Sequence, residues 1–249
     1  NDHVGANIAF NRSRIGDGVL YNHDRNIRQS DDRHDQDVAS KVSLKNDKHH
    51  GDFFFSNKDQ TNKLKDYNSE LVESQVSHSK QRNQIASFNL RSKWNNTHKS
   101  KMHLSQTGHK YRQRGQSAFN MNADRVNAKL VFDSESRIGD FKYGASHHNE
   151  SLSQTYSKDH SQEMYGGFIH FSPTLPEQWL VSLGVRQDHH SKWSRETQTA
   201  LSISYHIDSW EIFANYGTGF RPPSLTEMFG TNMQKANLDL KPERSKSYD

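Results

Sequence analysis

The sequence predicts an all-β chain: an antiparallel up-and-down meander of about twelve strands, each with one apolar and one polar face. Three observations carry that prediction. Apolar residues recur at every second position in segment after segment, which is the side-chain period of a strand and not of a helix. The links between these segments alternate between tight turns and longer polar stretches. Only 31% of the residues are hydrophobic, against roughly 45–50% in ordinary globular chains when glycine is included. That supply is thin for a thick two-sided core.

The first segment, near 2–12, places Val4, Ala6, Ile8 and Phe10 on one parity, and strands near 17–25, 35–46 and 50–59 follow it. Residues 60–79 read as one long polar loop. Further strands are expected near 80–94, 99–110, 119–134 (Val126, Ala128, Leu130, Phe132), 139–148 and 161–172. The cleanest alternation comes next. Near 178–188, Trp179, Val181, Leu183 and Val185 oppose Leu180, Ser182, Gly184 and Arg186. Leu201, Ile203, Tyr205 and Ile207 mark 197–207, opposed by Ala200, Ser202, Ser204 and His206, while Trp210, Ile212, Ala214 and Tyr216 mark 210–218. Tight links at 136–140, 172–178 and 207–209 alternate with longer ones at 148–160 and 187–196, so the two ends of the meander face different surroundings.

Two closed solutions hide the edges of such a sheet. A soluble sandwich buries two apolar faces against each other, whereas an outer-membrane barrel turns its apolar face to lipid and its polar face to a lumen. Strands of about 9–12 residues suit a tilted bilayer crossing, and globular strands run about 5–6. Phe171, Trp179 and Trp210 beside the tight links, with Tyr143, Tyr165 and Tyr216 toward the other ends, supply two interfacial girdles. The pattern therefore favours a partial transmembrane β-barrel. The reading from another class is a soluble all-β surface-binding protein.

Other features bound the function. There is no cysteine, hence no disulfide framework and no thiolate metal site. No apolar run of about 18 residues exists to form a membrane helix. The start, NDHVGANIAF, lacks the basic and apolar stretches of a signal peptide, which fits a cytosolic chain or a mature or internal piece. The net charge of +4 permits nucleic acid or anionic lipid. Lys and Arg are spread through loops and polar-face positions such as Lys129, Lys142 and Arg186, so no nucleic-acid partner is expected. No phosphate loop, H-E-x-x-H or nucleophile elbow occurs, and no enzyme activity is expected. The sixteen histidines read as solvated loop residues. Asp31, Asp32 and Asp35, in DDRHDQD, are assigned to an outward loop whose oxygens suit a hard cation such as calcium. No other cofactor is expected.

The stretch YGTGFRPPSLTEMFG followed by ANLDLKPERSKSYD is the most specific signal. It resembles the place in TonB-dependent outer-membrane receptors where a strand ends in Y-G-T-G-F-(K/R)-A-P, a loop follows, and N-L-K-P-E-(K/R)-S-x-S-Y-E opens the next strand. The matching residues are Tyr216, Gly217, Thr218, Gly219, Phe220, Arg221 and Pro223, then Asn237, Leu238, Lys241, Pro242, Glu243, Arg244, Ser245, Ser247 and Tyr248. Pro222 stands where the family has Ala, and Asp239-Leu240 is inserted. The upstream run from Gly166 to Ile207 is most similar to the vitamin B12 (cobalamin) receptor branch.

This resemblance implies an outer-membrane transporter of a scarce nutrient in a Gram-negative bacterium, cobalamin first, with a siderophore or haem receptor of the same family as the alternative. No His follows His206, which speaks against the haem ligand position of that family. It also implies that residues 1–249 are part of a barrel of about 22 strands, with the plug domain and C-terminal strands outside the sequence. The implied partners are outer-membrane lipid and lipopolysaccharide, the small nutrient, and the inner-membrane TonB complex acting through the plug, on a monomeric receptor. Gly217 to Lys241 is expected as an extracellular loop, with Arg221, Met228 and Phe229 as candidate ligand contacts and the glycines and prolines ending strand pairing. The cobalamin branch also binds calcium in acidic loops, which is the context for Asp31, Asp32 and Asp35.

Overall fold

The computed structural model describes residues 3–22, 27–67, 73–115, 118–155, 157–231 and 235–249. Twelve strands form one sheet in strict chain order, each pairing antiparallel with its sequence neighbours. They are β1 (His3–Asn22), β2 (Ile27–Lys45), β3 (His49–Tyr67), β4 (Glu73–Lys93), β5 (His98–Arg114), β6 (Phe119–Ser136), β7 (Gly139–Gln154), β8 (Ser157–Pro173), β9 (Trp179–His190), β10 (Ser194–Ile207), β11 (Trp210–Arg221) and β12 (Glu243–Tyr248). One short helix, α1 (Leu225–Phe229), lies in the link between β11 and β12. This is the expected all-β meander.

The register fixes the faces. Val181 opposes Ile203 and Ile203 opposes Ala214, while Ser182 opposes Ser202 and Ser202 opposes Asn215. Cross-strand partners share a face, so one face carries Leu183, Val185, Ile207 and Ile212, all exposed. On the opposite face lie Ser182, His206 and Asn215, as the alternation predicts. Stacks ride along the apolar face: Phe141 on Phe171 at 4.6 Å and Trp179 on Tyr205 at 4.5 Å. An exposed apolar face on a single sheet layer has no protein partner in the structure; lipid is the medium that matches it.

The polar face is the lumenal one, because α1 folds over it. Here side chains bridge non-adjacent strands. Arg186 holds Asp188 at 2.6 and 2.8 Å and reaches Ser146 on β7 at 2.8 Å. It crosses above Gly166, where any Cβ would collide with both Asp188 and Arg186. Lys129, Lys142 and Arg186 all face the lumen, as expected.

Five sequence expectations are corrected. The segments near 2–12 and 17–25 are one strand, β1, and the polar loop assigned to 60–79 belongs to strands β3 and β4 outside residues 68–72. The links at 148–160 and 187–196 shrink to 155–156 and 191–193. Strands β1 to β8 run 16–21 residues, beyond the roughly 9–11 that a bilayer crossing needs. Their outer parts are mostly polar in sequence and show no period-2 hydropathy, so alternation cannot reveal them, yet ladder hydrogen bonds hold them. Tyr143 is also moved: it opposes Phe132 and Ile169 within the apolar band and stacks on Phe132 at 5.3 Å, short of the far girdle.

The turn at 137–138 is closed by Gly139 at φ +143°, in a backbone region that side chains disfavour, with the Ser172 carbonyl against the space a Cβ would need. Gly139→Ala should cost about 1–3 kcal/mol, read as a lower urea midpoint in detergent.

Candidate functional site: the lumenal mouth

The motif of the sequence analysis is a pair of strands. Tyr216 to Arg221 on β11 pair residue by residue with Tyr248 to Glu243 on β12. The expectation that the strand stops at Gly-Thr-Gly is therefore corrected: β11 continues to Arg221, and the loop is 222–242. Gly219 makes room where it lies. Opposite Gly219 the Ser245 hydroxyl fills the space a side chain would occupy, 2.6 Å from an ideal Cβ. Pro222 and Pro223, without amide donors, end the ladder as expected. Arg221 joins the two ends of the loop by pairing with Glu227 at 2.8 Å and Glu243 at 3.1 Å, and Arg244 pairs with Glu196 on β10.

Beyond the prolines the loop turns inward. Ser224 opens α1 with a complete capping box: its hydroxyl accepts from Glu227 N, and the Glu227 carboxylate accepts from Ser224 N at 2.8 Å. The helix is amphipathic over its single turn. Leu225 (0% exposed) and Met228 (3%) pack on Leu152 (1%) of β7, and Trp193 and Phe229 close the cluster. These form the main apolar core among the described residues, and it lies at the mouth. Phe229 stacks on His160 and lies beneath Lys192, 4.9 Å from its ring centre. Two lumenal glutamines tie the loop backbone: Gln162 Nε2 donates to Pro223 O at 3.2 Å and Gln154 Nε2 to Phe229 O at 3.2 Å. Asn237 N closes the loop on Met228 O at 2.9 Å.

Below this strap is an open cavity of about 550 Å³ whose lining includes His103, Arg125, Lys129, His148, His190 and Arg221. Arg125 is paired with Glu150 at 3.2 Å, whose other oxygen accepts from Gln162 at 2.7 Å. Lys129 has no carboxylate partner among the described residues and lies 5.7 Å from the Phe168 ring. The histidine expectation is corrected here. His147 and His148 alternate faces within β7, His147 bonding Glu163 on the outside at 2.7 Å and His148 bonding Asn127 in the lumen at 2.6 Å. His190 is 3% exposed. The arrangement offers hydrogen bonds and positive charge to a ligand.

Of the residues singled out from sequence, Arg221 lines the cavity, whereas Met228 is buried in the strap's core and Phe229 stacks on His160. Asn237 shapes the loop; Leu238 is exposed. The loop placement of Asp31, Asp32 and Asp35 is overturned, since all three lie in β2. Asp32 meets Arg14 at 3.4 Å and Asp35 meets Arg33 at 2.8 Å, and the odd spacing puts Asp32 and Asp35 on opposite faces. Among the described residues no group of three metal-ligating side chains converges.

The Glu227 carboxylate, outside the membrane span, has its pKa lowered from 4.5, first by the Ser224 backbone N–H and then by Arg221. A lowered folded-state pKa means that its stabilising contribution is present above about 4.5 and is lost as pH falls through the lower folded value. The strap should therefore loosen only under acid, and Glu227→Gln should loosen it at pH 7. Protease cleavage within 222–242, measured against pH, checks both.

A family model described as TonB dependent receptor-like, beta-barrel, matches residues 2–249. The vitamin B12 transporter BtuB of Photobacterium profundum is 32% identical over 72 residues, 28% of this chain and 12% of that protein. Among solved structures, the siderophore receptor PirA of Pseudomonas aeruginosa superposes with TM-score 0.68 at 13% identity, over 98% of this chain and 51% of that one. The ferric enterobactin receptor PfeA of the same species superposes with TM-score 0.66 at 10% identity, over 90% of this chain and 45% of that one. The chain thus spans about half the length of the solved structures it matches, and at these identities they establish its fold.

Proposed function

Because this chain belongs to the TonB-dependent receptor β-barrel family, whose members are barrels of the Gram-negative outer membrane, we propose that it forms the ligand-admitting wall of a nutrient uptake receptor. The cargo is proposed to be a cobalamin. The observation that carries the receptor reading is the mouth itself: a motif-built strap, latched by Leu225 and Met228, stands over an open lumenal cavity lined by basic and histidine side chains. Cobalamin is favoured by the 32% identity to BtuB within one stretch. In the complete receptor, energy comes from the inner-membrane TonB complex acting on the plug, and one monomer suffices. A second cargo, an anionic ferric siderophore, is favoured by the unpartnered Lys129 in the cavity.

Uptake of labelled cyanocobalamin by cells whose only such receptor is the full-length protein tests the assignment. Saturable, TonB-dependent uptake supports it. Growth rescue on a ferric siderophore with no cobalamin uptake would transfer the assignment to iron.

A further inference from the structure

Beneath the strap, hydrogen bonds within the lumenal wall fix which groups the cavity offers and in which sense. One cross-strand row runs Ser105, Asn127, His148, Met164 and His190 over β5 to β9. Asn127 Nδ2 donates to Ser105 Oγ at 3.3 Å, which leaves its carbonyl for His148 Nδ1 at 2.6 Å. Nδ1 therefore carries the ring hydrogen, and in the neutral imidazole Nε2 is a bare acceptor. His103 is held in the same sense by Asn89 Oδ1 at 2.7 Å. His190 is locked the other way: its Nδ1 accepts from Lys192 N at 3.0 Å, so its Nε2 donates.

The next row outward adds a second acceptor. Gln162, one lumenal position beyond Met164 on β8, is 5% exposed and lines the same cavity. Its Nε2 donates to Glu150 Oε2 and to Pro223 O of the strap, while its Oε1 is buried and accepts nothing. The amide cannot turn over to find a donor, because Glu150 and Pro223 present acceptors only. A buried acceptor left without a donor is costly until one arrives. Charge in the cavity is largely cancelled: Arg125 is held by Glu150, and Arg221 by Glu227 and Glu243. Of the lining Arg and Lys side chains, Lys129 is the one without a carboxylate among the described residues.

We propose that this wall is a carboxamide subsite, with His148 and Gln162 as its specificity-determining residues. The inference rests on the uptake reading and narrows its cargo to one that bears neutral amides. A primary carboxamide brings two N–H hydrogens, for His148 Nε2 and Gln162 Oε1, and a carbonyl for His190 Nε2–H. A carboxylate or catecholate oxygen brings lone pairs alone, set against acceptors that Asn127 and Pro223 hold in place. Sites built around such bonds reject ligands that leave their polar groups unpaired.

The test uses the full-length receptor and equilibrium dialysis with cyanocobalamin and with its separated monocarboxylic acids, each made by hydrolysing one carboxamide. Wild type should bind at least one acid about tenfold or more weakly than the parent. His148→Leu should weaken the parent by about tenfold and shrink that ratio, and His148→Gln, which restores an acceptor, should recover it. Acids that all bind as tightly as the parent overturn the proposal, as does a ratio unchanged in His148→Leu. Should His148→Leu fail to assemble, Gln162→Met takes its place. Loss of the strap tie alone would weaken parent and acids alike, so an unchanged ratio there also overturns the subsite. If wild type binds no cyanocobalamin, the cobalamin assignment fails by itself. The subsite is then tested with ferrichrome, a neutral amide-rich chelate, against polyanionic ferric enterobactin, and anything but a preference for ferrichrome overturns it.

Discussion

Leu183→Arg in the full-length receptor should lower the stability of the folded barrel by about 2–4 kcal/mol, the cost of an arginine facing lipid near the bilayer midplane. Leu183 lies in the middle of the apolar run Trp179, Val181, Leu183 and Val185, opposite Phe171 on one side and Leu201 on the other. It is 45% exposed with no protein cover. Ser182, one residue away, faces the lumen, and Ser182→Arg should cost far less. Urea titration in lipid vesicles distinguishes the two. Equal costs would mean that the assigned faces do not correspond to lipid and lumen.

Leu225→Ala should detach the strap and leave the barrel standing. Leu225 is fully buried against Leu152, and truncating a buried leucine costs about 2–5 kcal/mol. A five-residue helix has no stability of its own to absorb that loss. The ladder from β1 to β12 does not depend on this contact. The expected result is rapid protease cleavage between 222 and 242, unchanged heat-resistant migration of the barrel, and weaker nutrient capture by the fraction of time the loop is detached. Unfolding of the whole barrel, or unchanged capture once cleavage is rapid, would remove the strap's proposed role.

The residues that announce the fold are those that lie in lipid. Trp179 to Val185, Leu201 to Ile207 and Trp210 to Tyr216 alternate because one face must be apolar, and sequence reading places them well. Where the sequence is mostly polar at both parities, as along 60–67 and 73–79, nothing forces a period, and the strands are legible only through their partners. The mouth was half legible for a related reason. Tyr216 to Arg221 and Glu243 to Tyr248 are recognisable as a motif, but that they are strand partners follows from register. The lumenal His148, His190, Glu150 and Gln162 carry no local signature, because what gathers them is parity across three strands.

The order of strands bears on how the chain assembles. Every strand pairs with the one before it, so the sheet can lengthen hairpin by hairpin with short loop closures and little entropic cost at each step. The strap's ties are different. Gln162 to Pro223 and Gln154 to Phe229 join positions 61 and 75 residues apart. They can form only after β7 to β11 have been laid side by side. The seating of Leu225 on Leu152 is thus a late event, so a receptor stalled during insertion would display an open, cleavable loop at its outer end, and the appearance of protease resistance there would time the completion of that part of the wall.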